Sequence, residues 1–120
     1  MNAELEAKIE EYYSLKPVQF RVLRSAILTQ DVDKSTGEMQ QHLSLVLSRD
    51  DSFSGEMLHL ELSGVRNLEL HQPSWSLVTL SNLEIVQSAP TGKYDRRFVV
   101  LDAEEGIISC SCHDFFAAIA

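Results

Sequence analysis

A length of 120 residues with 44% hydrophobic and 23% charged side chains predicts one globular domain, residues 1–120. Eighteen acidic against ten basic side chains give a net charge of −8, which disfavours binding to nucleic acid or to anionic membranes and favours a basic protein partner. No apolar stretch approaches the roughly 20 residues that cross a bilayer, and the acidic N-terminal sequence is unlike a signal peptide. We therefore expect a cytoplasmic protein.

The N-terminal segment predicts a helix. From Asn2 to Tyr13 the apolar residues recur at helical spacing, with glutamates at the positions between them. Pro17 lies beyond this pattern, and it biases the residue before it toward an extended conformation. One short amphipathic helix is expected.

After Pro17 the hydrophobic period changes to two, which predicts strands with one apolar face. Folding about the turn sequence DVDKSTGE sets Ala26 opposite Leu45 and Leu28 opposite Leu43. Folding about a second turn, RDDSFSGE, sets the second strand beside the third, with Leu47, Leu45 and Leu43 opposite Leu58, Leu60 and Leu62. The resulting core of the three strands includes Leu43, Leu45, Leu47, Leu58, Leu60 and Leu62.

Arg24 conflicts with this apolar face, since its position in the alternation points it inward. A β-bulge that turns Leu23 inward instead removes the conflict.

The second half of the chain predicts further strands. A bend and a short strand are expected between Gly64 and Pro73, strands in LEIV, YDRRFVVLD and IISCSC, and a helical tail in DFFAAIA, while WSLVTL stays uncertain. The predicted fold is α+β and mostly β. It consists of an N-terminal helix, a curled antiparallel meander of about six strands and a short C-terminal helical tail.

The sequence GIISCSCHDFF contains both cysteines. In a strand Cys110 and Cys112 share one face while His113 lies on the other, so the three side chains do not converge on a metal. A disulfide between residues two apart in a strand is strained, because their Cβ vectors are parallel. We therefore assign both cysteines to the core and predict no metal and no cofactor.

No motif for catalysis is present, and we predict that the protein is not an enzyme. Asp31, Asp33 and Ser35 have the opening spacing of a calcium loop, but Thr36 and His42 replace its glycine and its bidentate glutamate. SFSG and LSG differ from the nucleophile elbow of hydrolases, and none of the five glycines belongs to a phosphate-binding loop. We interpret the segment with calcium-loop spacing as a solvent-exposed hairpin tip.

Acidic turns and the polar sheet face give the candidate interaction surface. We interpret the four histidines as scattered surface residues; His42, His59 and Glu61 fall on the polar face and would meet there only if that face formed a groove. Lys93, Arg96 and Arg97 form the one basic cluster, which we expect to balance neighbouring carboxylates. The candidate interaction residues are Asp31, Asp33, Asp50, Asp51, His59 and Glu61.

The order LELSGVRNLEL, SNLEIVQS and RRFVVLDAEEGIISCSCHDF resembles small bacterial β-rich domains, among which immunity proteins of polymorphic toxin systems are numerous. The resemblance covers residues 58 to 116 and includes a turn with Val100, Asp102 and Glu104. It implies an inhibitor that docks an acidic surface on a basic toxin and covers its active site.

Two alternatives stay open. One is a small-ligand-binding or hydrolytic domain with its site in the curl of the sheet, for which a deep pocket with converging histidine and acidic groups would argue. The other is a homo-oligomer joined through an edge strand or through Phe115 and Phe116.

Overall fold

One helix and eight strands are present in the part of the chain that the structure describes. The structure is a computed structural model that describes residues 3–49, 55–71, 83–87, 98–102 and 107–120. The elements are α1 (Ala3–Ser14), a single 3₁₀ turn (Pro17–Gln19), β1 (Val22–Val32), β2 (Met39–Ser48), β3 (Met57–Ser63), β4 (Arg66–Leu70), β5 (Leu83–Gln87), β6 (Phe98–Asp102), β7 (Ile108–Cys112) and β8 (Asp114–Ile119).

The predicted N-terminal helix is confirmed as α1. Its buried residues Leu5 and Tyr12 face the core, as their helical spacing requires. The Tyr12 hydroxyl donates a 2.7 Å hydrogen bond to the carbonyl of Leu83, and the Tyr13 hydroxyl bonds to both backbone groups of Ile85. The helix thus covers β5, which is an edge strand.

The first three strands pair with the predicted register. They form sheet A, in the order β1-β2-β3-β8. Ala26 pairs with Leu45 and Leu28 with Leu43 in the first hairpin, and Leu45 pairs with Leu60 in the second. The register shifts between Leu23 and Ser25, which confirms the bulge at Arg24; Arg24 is exposed while Leu23 packs against the core.

β1 contributes less to the core than its alternation predicts. The six leucines of β2 and β3 are 0 to 2% exposed, whereas Leu28 of β1 is 43% exposed and Ala26 is also exposed. β1 is one of the two edge strands of sheet A, so its inward side chains lie at the margin of the core. The expectation that three strands share one buried face holds fully for β2 and β3 only.

The other four strands form sheet B, in the order β4-β7-β6-β5. The core lies between sheets A and B and is closed on one side by α1. The ring of Phe98 in sheet B meets that of Phe115 in sheet A edge to face, with centroids 4.8 Å apart. The predicted single meander of about six strands is therefore wrong. Eight strands form two packed sheets, in which β3 lies beside β8 and β4 lies beside β7.

One bent pair of strands joins the two sheets. β4 continues from β3 through Gly64, and β8 continues from β7 through His113. β3 pairs antiparallel with β8, and β4 pairs antiparallel with β7. At the bend the His113 amide donates to the carbonyl of Ser63. Gly64 has φ +64°, and a Cβ there would lie 2.8 Å from the Cβ of His113. Strands that pass from one sheet to the other at such a bend form the corner of a β-sandwich.

The predicted C-terminal helical tail is wrong, since Asp114–Ile119 is β8. Its alanines favour a helix locally, but pairing with the open edge of β3 overrides that preference. Leu62 pairs with Phe115 and Glu61 with Phe116, so Phe115 enters the core and Phe116 faces outward at 66% exposure. The segments predicted as turns at PTGK and AEEG, and WSLVTL, lie outside the described residues.

We predict that Gly64→Ala destabilises the protein more than Gly37→Ala. Both glycines have positive φ, which costs an L-residue about 1 to 2 kcal/mol. A Cβ at Gly37 meets nothing within 4 Å, whereas one at Gly64 meets His113. Denaturant unfolding of both variants measures the difference, and equal losses of unfolding free energy would show that the close approach at the bend has no energetic weight.

Candidate functional site

The outer face of sheet A is formed by the side chains that alternate with its buried leucines. Because neighbouring residues of a strand point to opposite faces, burial of Leu43, Leu45, Leu60 and Leu62 turns the residues between them outward. The register places Ser44 opposite Glu61, and it extends this row to Ile27 on β1 and to Phe116 on β8. We call these four residues, together with His42 and His59, the outer-face site.

Glu61 is the centre of the outer-face site. The Nε2 atom of His42 lies 2.6 Å from Glu61 Oε2, and the hydroxyl of Ser44 donates a hydrogen bond to the same oxygen. The side chains of His42 and Glu61 are 47% and 42% exposed. The carboxylate is thus fixed in position while remaining open to solvent and to a partner.

This environment keeps Glu61 ionised. The hydrogen bond from Ser44 is the main cause that lowers the pKa of Glu61, and the hydrogen bond and charge of His42 and the charge of His59 act in the same direction. Partial burial opposes them but does not prevail. The sequence favours scattered surface histidines that meet Glu61 only in a groove; in the structure His42 bonds to Glu61 on an open sheet face, and His59 affects Glu61 through its charge.

The cluster has the wrong connectivity for nucleophilic catalysis. A catalytic serine hands its proton to a histidine, which a carboxylate orients from its other side. Here Ser44 and His42 both bond to one carboxylate oxygen. The arrangement fixes an anionic hydrogen-bond acceptor on an open sheet face, which suits the recognition of a cationic group.

The hairpin tip is built around Asp33. Its carboxylate accepts hydrogen bonds from the amide and hydroxyl of Ser35, 2.9 and 2.6 Å long, and these lower the pKa of Asp33. The amide of Gly37 donates to the Asp33 carbonyl. The residues with calcium-loop spacing therefore form the predicted hairpin turn, in which Ser35 donates to Asp33.

The other candidate surface residues are distributed as follows. Asp31 is exposed near the end of β1, on the same face as the outer-face site. Asp50 and Asp51 lie outside the described residues, as do Lys93, Arg96 and Arg97. Among the described residues, no three histidine, cysteine, aspartate or glutamate side chains form a group that could hold a metal ion.

Cys110 and Cys112 are free thiols, 3% and 1% exposed, on the core face of β7. They pair with Val100 and Phe98 of β6. Burial raises the pKa of Cys110 to about 11 and, with a smaller effect of neighbouring charges, that of Cys112 to about 12. Ser111, on the opposite face of β7, is also buried and donates to the carbonyl of Arg66, because β4 lies beside β7.

Comparison with known proteins identifies the family. The family model described as immunity protein PIM8 matches residues 4–118. The chain belongs to the PIM8 immunity protein family. Neither the comparison with curated proteins nor that with solved structures gave a match. The match confirms the resemblance to immunity proteins seen from residue 58 to 116, and it extends over the N-terminal helix and the first hairpin.

Two parts of the site in this PIM8 family member escaped the sequence analysis. Ser44 follows from the predicted register, which already sets it opposite Glu61, yet a serine in a strand carries no signal of its own. Phe116 could not be placed while its segment was predicted to be helical.

None of the helices in the part of the chain that the structure describes is long and apolar enough to cross a membrane.

We predict that Ser44→Ala raises the pKa of Glu61, whereas Ser63→Ala, on the same face, leaves it unchanged. Carbon-detected NMR of the glutamate carboxyl groups against pH measures both variants. Because the pKa of Glu61 is lowered in the folded state, its contribution to stability is present above the unfolded value of about 4.3 and is lost as the pH falls through the folded pKa. An unchanged titration of Glu61 in Ser44→Ala would contradict the assigned hydrogen bond.

The buried thiols give a second prediction. In the native protein both cysteines should react slowly with a thiol reagent at neutral pH, and both should react at once in denaturant. Burial raises the pKa values of both thiols in the folded state. Their contribution to the free energy of unfolding is therefore fully present below the unfolded pKa of about 8.5, and it declines as the pH rises toward the folded pKa of about 11. A double Cys110→Ala, Cys112→Ala variant should show a flatter decline between about pH 8.5 and 10; an equal slope would show that other groups cause it.

Proposed function

We propose that this member of the PIM8 immunity protein family is a non-catalytic inhibitor that binds a basic toxin through the outer face of sheet A and covers the active site of the toxin. The observation that carries the proposal is Glu61, an ionised carboxylate fixed at the centre of an open sheet face. Family membership supports an immunity role, and the two free, buried cysteines agree with a cytoplasmic location.

The charge of β2, β3 and β8, three of the four strands of sheet A, favours a basic partner. The sequences of β2, β3 and β8 contain no lysine and no arginine. Asp31 adds a second carboxylate on the outer face, and the whole chain carries a net charge of −8. Such a field accelerates the encounter with a cationic surface, and a fixed carboxylate can accept a bidentate bond from an arginine.

Apolar side chains flank the carboxylate. Ile27 and Phe116 are 59% and 66% exposed at the two ends of the row that passes through Ser44 and Glu61. Since adjacent strands are about 4.8 Å apart, the two side chains stand about 14 Å apart across the sheet. Protein interfaces commonly combine apolar or aromatic anchors with a few fixed polar groups, and this row supplies both.

The rival function, a ligand-binding or hydrolytic site, fits less well. It needs an enclosed pocket, whereas His42 and Glu61 are nearly half exposed on a sheet face. It also needs a base for the serine, and Ser44 is bonded to the carboxylate that already binds His42. The same groups serve recognition of a cation without any rearrangement.

The test is affinity capture from extracts of the source cells on three immobilised proteins: the wild type, Glu61→Gln and the matched control Glu69→Gln. Glu69 is an exposed glutamate of β4 in sheet B, so both variants lose the same charge. Wild type and Glu69→Gln should retain a basic protein that high salt releases. Glu61→Gln should bind it at least about tenfold more weakly, a difference of about 1.4 kcal/mol.

Co-expression completes the test. The captured protein should arrest growth when it is produced alone, and the wild-type chain and Glu69→Gln should restore growth. Failure of the wild type to restore growth would contradict the immunity role. Equal affinity of Glu61→Gln and Glu69→Gln would contradict the outer-face site while leaving the immunity role intact.

A further inference from the structure

Among the residues that the structure describes, β1 pairs with β2 alone, and no strand lies along its outer edge. From Ser25 to Val32 the pairing with β2 is unbroken, so eight successive residues are in regular extended conformation. Natural edge strands are commonly protected by lysine, proline or a bulge. β1 contains neither lysine nor proline, its charged residues Arg24 and Asp31 lie near its two ends, and its bulge lies at its beginning, before Ser25.

The same strand exposes apolar side chains on both of its faces. Ile27 faces outward and is 59% exposed, while Leu28 faces the margin of the core and is 43% exposed. Val32 is 50% exposed and pairs with Met39, which is 56% exposed. Apolar groups gathered around an open edge mark a site where another strand adds to the sheet.

The order of charges along β1 indicates what that strand is. Arg24 lies near the beginning of the strand and Asp31 near its end. When β1 runs antiparallel to a copy of itself, the basic end of each strand lies beside the acidic end of the other. The strand is therefore complementary in charge to its own sequence, as the interface of a twofold dimer requires.

We infer that β1 pairs antiparallel with β1 of a second copy of this chain, about a twofold axis close to Ile27. The two copies of sheet A then form one continuous sheet of eight strands. Ile27 of one copy lies beside Ile27 of the other, and each Arg24 lies near the opposite Asp31. The pairing gives partners to the backbone groups of β1 that face away from β2, apart from the Val32 amide, which already donates to the Asp31 carboxylate, and it covers apolar surface on both faces of the sheet.

This dimer does not rest on the proposed toxin binding, and it shares only Ile27 and Asp31 with the proposed toxin-binding face. A twofold axis that relates two antiparallel strands of one sheet is perpendicular to the sheet. The outer faces of the two copies therefore lie on the same side. Glu61 and Phe116 lie two and three strands away from β1, so they stay accessible in the dimer.

Sedimentation equilibrium of the purified chain tests the inference. The wild type should associate from its chain mass of 13.5 kDa to twice that mass within the micromolar to submillimolar range. Ile27→Lys places two like charges side by side at the axis, and it should raise the dimer dissociation constant at least about tenfold. The matched control Val86→Lys changes a similarly exposed residue of β5 in sheet B, and it should leave the constant unchanged.

A charge exchange distinguishes strand pairing from a general effect of charge. Arg24→Asp and Asp31→Arg should each weaken the dimer, and the double variant should return its dissociation constant toward the wild-type value. Circular dichroism verifies that each variant is folded. A wild type that stays monomeric throughout the concentration range would overturn the inference. So would a dimer that Ile27→Lys does not weaken, or single charge variants that the double exchange does not rescue.

Discussion

The bend at Gly64 and His113 is the constraint on which the rest of the structure depends. It turns one long antiparallel pair of strands through a corner, so that the first half of the pair belongs to sheet A and the second half to sheet B. The Ser63 carbonyl and the His113 amide continue the hydrogen bonding through the corner, and Gly64 supplies a backbone conformation that an L-residue rarely adopts. Because of this bend, Phe115 packs on Phe98 inside the molecule, and Phe116 emerges beside Glu61 on the outside.

Local patterns were sufficient for the elements that pair with their neighbours in the chain. Alternating leucines and two turns fixed the register of β1, β2 and β3, and a misplaced Arg24 revealed the bulge. The same register already implied that Ser44 lies opposite Glu61. The arrangement of two sheets did not follow, because the pairings of Leu62 with Phe115 and of Arg66 with Ser111 join segments about 50 residues apart. The short sequence DFFAAIA is ambiguous by itself, and only the edge of β3 makes it a strand.

Under the proposed function, structure and recognition use opposite faces of the same strands in this PIM8 family member. The inner leucines of β2 and β3 contribute to the core, and the residues between them form a surface that their burial holds in place. Side chains on that surface can change without disturbing the packing beneath them. Glu61 is an exception within the surface, since Ser44 and His42 fix its carboxylate and keep its charge. A charge held in one position costs less conformational entropy when it binds than a mobile one does.

The central claim is that the outer face of sheet A is the surface that meets the toxin. Amide NMR spectra of the isotopically labelled chain, recorded with and without the protein captured on it, test this claim most directly. The account predicts that the largest changes fall on β2, β3 and β8, around Ser44, Glu61 and Phe116, while β5 and β6 of sheet B change little. Changes confined to sheet B or to α1, with the amides around Glu61 unaffected, would contradict it.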